Sequence, residues 1–132
     1  MKVFKFGGAS INSIERIKNV SSIFKSYRDE KIVVVISAMG KTTNALENVV
    51  AAFYEKKNEE ALQLFEDIKQ EHLKIANQLT DKPINQLNDF FTEVEWLLHD
   101  KAVREYDYYY DQIVCAGELL SSSIVSAFLQ SE

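Results

Sequence analysis

A chain of 132 residues, 46% of them hydrophobic, is long enough for one domain that buries roughly two thirds of its unfolded surface. A net charge of -5 excludes a protein whose main work is gripping nucleic-acid phosphates with a basic face, so any anion site must be local. The single cysteine, Cys115, rules out an internal disulfide, and no N-terminal apolar segment reaches signal-peptide or membrane-span length. The chain therefore reads as reduced, cytoplasmic and soluble, with neither nucleic acid nor membrane as a partner.

Residues 2 to 6 form the first strand candidate and "IVVVI", 32 to 36, the second, a β-branched apolar run of the kind buried on both faces in a parallel sheet. Between them Ile14, Ile17, Val20 and Phe24 recur at helical spacing, and Asn12 with Glu15 has the pattern of a capping box. The three pieces make a βαβ unit. Its strands must be parallel, so their carboxyl ends share one sheet edge, where open α/β sheets bind ligands.

From residue 43 the pattern turns helical. Leu46, Val49, Val50 and Phe53 make one apolar face, and Leu62, Phe65, Ile68, Ile75, Ala76 and Leu79 a second. After the break at "TDKP", Ile84, Leu87, Phe91, Val94 and Leu98 make a third; Ile113, Leu120, Ile124, Ala127 and Phe128 make a fourth. The tyrosines of "YDYYYD", 106 to 111, are expected to pack their rings and wet their hydroxyls rather than form a binding surface. "SSSIVSAFLQSE" keeps apolar helical rhythm almost to the last residue, and two such apolar strands need partners at their edges, so more sheet is expected than these residues supply.

Glycine is confined to three short stretches, "KFGGAS", "SAMGKTTN" and "CAGELLSS", holding Gly7, Gly8, Gly40 and Gly117. Each alone is explained as well by an ordinary turn or helix-packing role as by a site; together they suggest one site. Lys5 alternates onto the face of Val3, away from Phe4 and Phe6, and is either a snorkelling surface lysine or a point charge aimed at an anion. The amides of Gly7 and Gly8, just ahead of a helix, can converge on phosphate oxygens. "GKTT" is not a P-loop, because the glycine that motif requires five residues before Gly40 is Val35. What remains there is Ser37 at a strand end, with Thr42 and Thr43 at a helix start, groups suited to a carboxylate but also to plain capping. Glu118, beside Gly117, suits a ligand ammonium or an ordinary surface. His72 and His99 lack partners at metal-ligand spacing, and structural roles are expected.

"KFGGAS", "VVVISAMGKTTNAL" and "AGELLSSSIVSAFL" resemble, in order and approximate spacing, the three N-terminal motifs of the aspartate kinases of the amino acid kinase family. The resemblance covers the whole chain but only the first half of that family's kinase domain. It implies an α/β three-layer sandwich with a mainly parallel sheet, of which residues 1–132 form an incomplete, helix-rich N-terminal, substrate-side portion with a helical segment at about 43–112. The nucleotide-binding half and the regulatory domains would lie beyond it. The implied reaction is phosphoryl transfer from ATP to the side-chain carboxylate of L-aspartate, giving 4-phospho-L-aspartate, the first step toward lysine, threonine and methionine. The resemblance makes Lys5 the catalytic charge, puts the phosphates of ATP on Lys5, Gly7, Gly8 and Ser10, and puts aspartate on Ser37, Thr43 and Glu118. Mg²⁺ would arrive only with ATP, no residue would bind a metal by itself, and the parent protein would be a homo-oligomer. The family usually has Thr where this chain has Ala9, so a hydroxyl role at that position is not expected. Two rival readings are another carboxylate or carbamate kinase of the same fold, which "SAMGKTTN" with "GELLS" argues against, and a non-enzymatic helical interaction module.

Overall fold

The computed structural model describes residues 1–132. Strands β1 (Lys2–Phe6) and β2 (Ile32–Ile36) pair in parallel, with Phe4 opposite Val34 and Phe6 opposite Ile36, and helix α1 (Ile14–Lys25) crosses between them. Ile17, Val20 and Phe24 are buried on the sheet side of α1, and Phe24 meets the rings of Phe4 and Phe6 edge to face at 5.5 and 5.6 Å.

One expectation changes here. Helix α1 is capped by Ser13, whose hydroxyl accepts from the Arg16 amide at 3.2 Å, and not by Asn12. Ser13 has the extended backbone, φ -149° and ψ 163°, that aims a cap side chain at the first turn. Within residues 1–132 only one face of the strands is covered. Phe4, Phe6, Val34 and Ile36 face the core, whereas Val3, Val33 and Val35 are 64%, 45% and 44% exposed and Lys5 lies among them. These residues place helices on one side of the sheet only.

The rest is helical: α2 (Thr42–Tyr54), α3 (Asn58–Leu79), α4 (Asn85–His99), α5 (Tyr106–Val114) and α6 (Ala116–Ser131). Their apolar faces merge with α1 and the strands into a single core, anchored by Phe53, Phe65, Leu87, Phe91, Leu98 and Ile124. Helix α2 ends in a Schellman turn: the Lys57 amide donates to the Ala52 carbonyl at 2.9 Å and the Lys56 amide to Phe53 at 3.1 Å, with Lys56 left-handed at φ 67°. Asn58 then donates from Nδ2 to the carbonyls of Leu98 and Asp100, both at 2.9 Å, closing the carboxyl end of α4.

The fourth apolar face belongs to two helices. The backbone stays helical at Cys115, φ -61° and ψ -20°, but α5 ends and α6 begins there, and Gly117 in the first turn of α6 packs against Ala38 and Leu46. The α5–α6 run is apolar and long enough to cross a membrane by length and composition, yet half of its most apolar window is buried in this core, as for a core helix of a globular fold. The tyrosine rings pack as expected, but the hydroxyls of Tyr109 and Tyr110 are bonded within the chain and not left to water. Tyr109 is buried against Phe53, and its hydroxyl accepts from the Val103 and Arg104 amides at 2.8 and 3.0 Å.

Candidate functional site

Because β1 and β2 run parallel and in register, the loops that follow them leave from one sheet edge. The Ser37 amide donates to the Phe6 carbonyl at 3.1 Å, extending the ladder by one rung. Beyond it the two loops touch through their backbones: the Gly40 amide donates to the Gly8 carbonyl at 3.2 Å. A Cβ on Gly8 would sit 2.7 Å from the Ala38 carbonyl oxygen, so the contact needs glycine there.

Gly7 is different. Nothing lies within 4 Å of where its Cβ would be. Gly8–Ser10 form a single 3₁₀ turn closed by the Ser10 amide donating to the Gly7 carbonyl at 3.0 Å. The amides of Gly7, Gly8 and Ala9 donate to no backbone carbonyl of the chain and stand in front of the sheet edge, an arrangement suited to anionic oxygens. Lys5 is exposed, sits two residues upstream opposite Val35, and makes no ion pair within the chain.

The second loop, Ser37 to Lys41, runs into the first turn of α2. The Thr42 amide donates to Met39 at 2.9 Å, while the Thr43 and Asn44 amides lie at the open N-terminus of a 13-residue helix that carries no side-chain cap. Ser37 and Thr43 are half-buried; Thr42 is buried and turns its methyl toward Gly117.

The third glycine stretch closes on the other two. A Cβ on Gly117 would lie 3.0 Å from the Ala38 Cβ, 3.2 Å from Leu46 Cδ1 and 3.7 Å from Thr42 Cγ2. One turn on, the fully buried Ser121 donates its hydroxyl to the Ser37 carbonyl at 2.6 Å. Glu118 stands exposed in the first turn of α6 and makes no ion pair within the chain.

Gly8, Ser37, Ala38, Gly40, Thr42 and Gly117 are thus in direct contact or adjoin it, and Ala38 is the point where the three stretches meet. Glu118 and Thr43 follow Gly117 and Thr42 in the chain, Lys5 lies three residues before Gly8, and none of their side chains makes a hydrogen bond to this cluster. Ala38 and Ser121 carry no signal of their own in the sequence. Only the small size of Ala38 between a strand and two glycines, and a serine inside an apolar helix rhythm, hint at them.

The titratable groups with perturbed behaviour lie elsewhere. His72 is buried, with Nδ1 2.8 Å from the Ile68 carbonyl, and desolvation lowers its pKa. Burial pushes the Cys115 thiol up, with Glu118 and Asp111 adding to the shift, so it is not an activated nucleophile. No group of three His, Cys, Asp or Glu side chains is arranged to hold a metal ion.

Residues 1–132 match the amino acid kinase family along their whole length. The chain belongs to that family. Aspartokinase 2, chloroplastic, of Arabidopsis thaliana is 34% identical over 137 residues, covering 96% of this chain and 24% of that protein. The aspartokinase of Geobacillus stearothermophilus is 51% identical over 49 residues, 36% of this chain and 12% of the relative. Among solved structures, E. coli aspartokinase III in complex with aspartate and ADP superposes with a TM-score of 0.80 at 23% identity, covering 98% of this chain and 29% of the other. Clostridium acetobutylicum aspartate kinase gives 0.72 with the same identity and coverage. This amino acid kinase chain therefore has the family's fold and spans about a quarter of the length of the relatives it matches.

Proposed function

We propose that residues 1–132 are the N-terminal, substrate-side part of an ATP-dependent aspartate kinase, which transfers the γ-phosphoryl group to the side-chain carboxylate of L-aspartate. The observation that carries this reading is the meeting of the three glycine stretches at Ala38, beside the Gly7 and Gly8 amides that donate to no backbone carbonyl. The relatives support the choice of acceptor, since they are named aspartokinases and one neighbour was solved with aspartate and ADP.

In this reading a carboxylate oxygen of aspartate attacks the γ-phosphorus, the bond from that phosphorus to the β,γ-bridging oxygen breaks, and ADP leaves with the electron pair. An ionised carboxylate needs no general base, so the protein must mainly position the partners and neutralise charge. Lys5 faces the charge that builds on the transferring group, while the Gly7 and Gly8 amides, with Ser10 closing their turn, hold its oxygens. The open space over Gly7 fits a phosphate drawn close to the backbone. Ser37 and Thr43 orient the aspartate carboxylates at the N-terminus of α2, and Glu118 pairs with the α-ammonium.

Mg²⁺ comes as part of the nucleotide substrate, bridging its phosphates. The nucleotide base and ribose are assigned to the part of the longer protein outside these residues. We further propose a cytoplasmic homo-oligomer, noting that the relatives include both chloroplastic and bacterial proteins.

The test is an acceptor panel on the longer protein that carries this chain, following ADP release and trapping the acyl phosphate with hydroxylamine. Hydroxamate formed with L-aspartate, and not with glutamate or carbamate, is the expected result. ADP release with carbamate alone would move the protein to another branch of the same fold.

A further inference from the structure

Helical serines commonly bond back to a carbonyl three or four residues earlier in their own helix. Ser123 does only that, donating to Leu120 at 2.8 Å from a buried position. Ser121 has the same option in the Glu118 carbonyl at 3.2 Å, yet its short contact leaves the helix for the Ser37 carbonyl, 2.6 Å away and 84 residues distant in sequence. The hydroxyl therefore ties α6 to the carboxyl end of β2 at the residue where the acceptor site begins. It does so beside the Gly117–Ala38 contact, so a polar pin and an apolar contact fix the same junction.

We infer that Ser121 is a positioning residue for the acceptor, setting the offset between Ser37 on the strand end and Glu118 on the first turn of α6. The inference rests on the aspartate kinase reading, in which Ser37 and Glu118 hold different ends of one substrate. A zwitterion gripped by two elements is recognised only while the distance between them is fixed, and the buried Ser121 hydroxyl is the one side-chain hydrogen bond joining them. Without its donor, the half-buried Ser37 carbonyl loses the partner that the fully buried Ser121 supplies, and the first turn of α6 is free to shift against the strand. Ser121 touches neither substrate in this arrangement; its effect passes through Ser37 and Glu118.

The test uses steady-state kinetics of the longer protein with three variants, Ser121→Ala, Ser121→Cys and Ser123→Ala. Ser123→Ala is the matched control, since it deletes an equally buried hydroxyl on the same helix that has no link to β2. Ser121→Ala is expected to raise the KM for L-aspartate about tenfold, with kcat and the KM for ATP within about twofold of wild type. Ser121→Cys, a weaker donor of similar size, should fall between, and it carries the measurement if the alanine variant does not fold. Ser123→Ala should leave all three constants within about twofold. An unchanged aspartate KM in Ser121→Ala, an equal rise in Ser123→Ala, or a loss spread evenly over kcat and both KM values overturns the inference. A wild type that forms no acyl phosphate from aspartate removes the aspartate kinase reading itself, which separates that failure from one confined to Ser121.

Discussion

The Ala38 carbonyl oxygen occupies the space where a side chain on Gly8 would begin, only 2.7 Å from an ideal Cβ, while the methyl of Ala38 meets Gly117 on its other side. A side chain on either glycine would press on Ala38, more severely at Gly8, where the obstacle is backbone.

Gly8→Ala is therefore expected to destabilise the chain by about 1 to 3 kcal/mol, the usual range for overpacking a tight contact. Gly7→Ala, one residue away with open space around it, should leave the thermal midpoint nearly unchanged. Parallel thermal melts decide the matter, and equal midpoints for the two variants would mean that the loops are not in contact. The pair also separates folding from function. On the proposed mechanism Gly7→Ala still slows the reaction of the longer protein, because its methyl stands where a phosphate must approach.

Lys5→Ala tests the phosphate side. Lys5 is exposed and unpaired within the chain, so its loss should cost little stability. Removing one preorganised charge-stabilising group lowers kcat by roughly 10² to 10³. The aspartate KM should change far less. An unaltered kcat would assign Lys5 to the open sheet face as a surface residue.

Much of this architecture was legible because periodicity reports it directly. The alternation in residues 2–6, the run of 32–36 and the helical spacing between them gave the βαβ unit, and its parallel strands brought the glycine stretches to one edge. What escaped depends on backbone angles and distant contacts. Asn12 and Ser13 are equally good caps by composition, and only the extended backbone at Ser13 chooses between them. The division between α5 and α6 is silent because Cys115 keeps helical angles and the apolar rhythm passes through it. An apolar strand does not record how many of its faces a given stretch of chain covers, so Val3, Val33 and Val35 read as core and stand exposed. Ser121 is one of three consecutive serines, and nothing local distinguishes the one that reaches Ser37.

Lys56 offers a stabilising change. It occupies the left-handed position of the Schellman turn after α2, where a Cβ is strained and glycine is not. Lys56→Gly is expected to raise stability by up to about 1 kcal/mol, with the turn's two backbone hydrogen bonds kept. Denaturant titration measures it, and a fall in the midpoint at unchanged m-value would show that the lysine side chain contributes more than its backbone costs.

His72 sets a pH dependence. Its Nδ1 faces the Ile68 carbonyl, which only accepts, so Nδ1 carries the proton and Nε2 is a buried acceptor with no partner. Desolvation lowers the pKa, outweighing the opposing influence of the Ile68 carbonyl and of Glu71. With the folded pKa below the unfolded value of 6.5, the unfolded chain takes up the proton first as pH falls. Stability is therefore unaffected by this group above about pH 6.5 and declines below it, until the folded form also protonates. His72→Leu removes the titration, so the difference in unfolding free energy between variant and wild type should grow in favour of the variant from pH 7.5 to pH 5. A difference independent of pH would show that His72 is protonated equally in both states.

Glu118→Gln tests the acceptor end, because it keeps the size of the side chain while removing the charge proposed to face the substrate ammonium. Glu118 is exposed in this chain, and solvent screens an exposed pair more than a buried one. The expected loss is therefore about tenfold in aspartate KM, below what a fully desolvated pair would give, with the KM for ATP near wild type. A rise in KM alone would not identify the lost partner, since a shifted first turn of α6 has the same effect. N-acetylaspartate resolves the ambiguity: it has no ammonium, so wild type should use it poorly, and Glu118→Gln should discriminate between it and aspartate far less than wild type does. If the variant rejects the blocked analogue as strongly as wild type, the ammonium is read by another group and Glu118 serves only the N-terminus of α6, where an acidic residue favours the helix dipole.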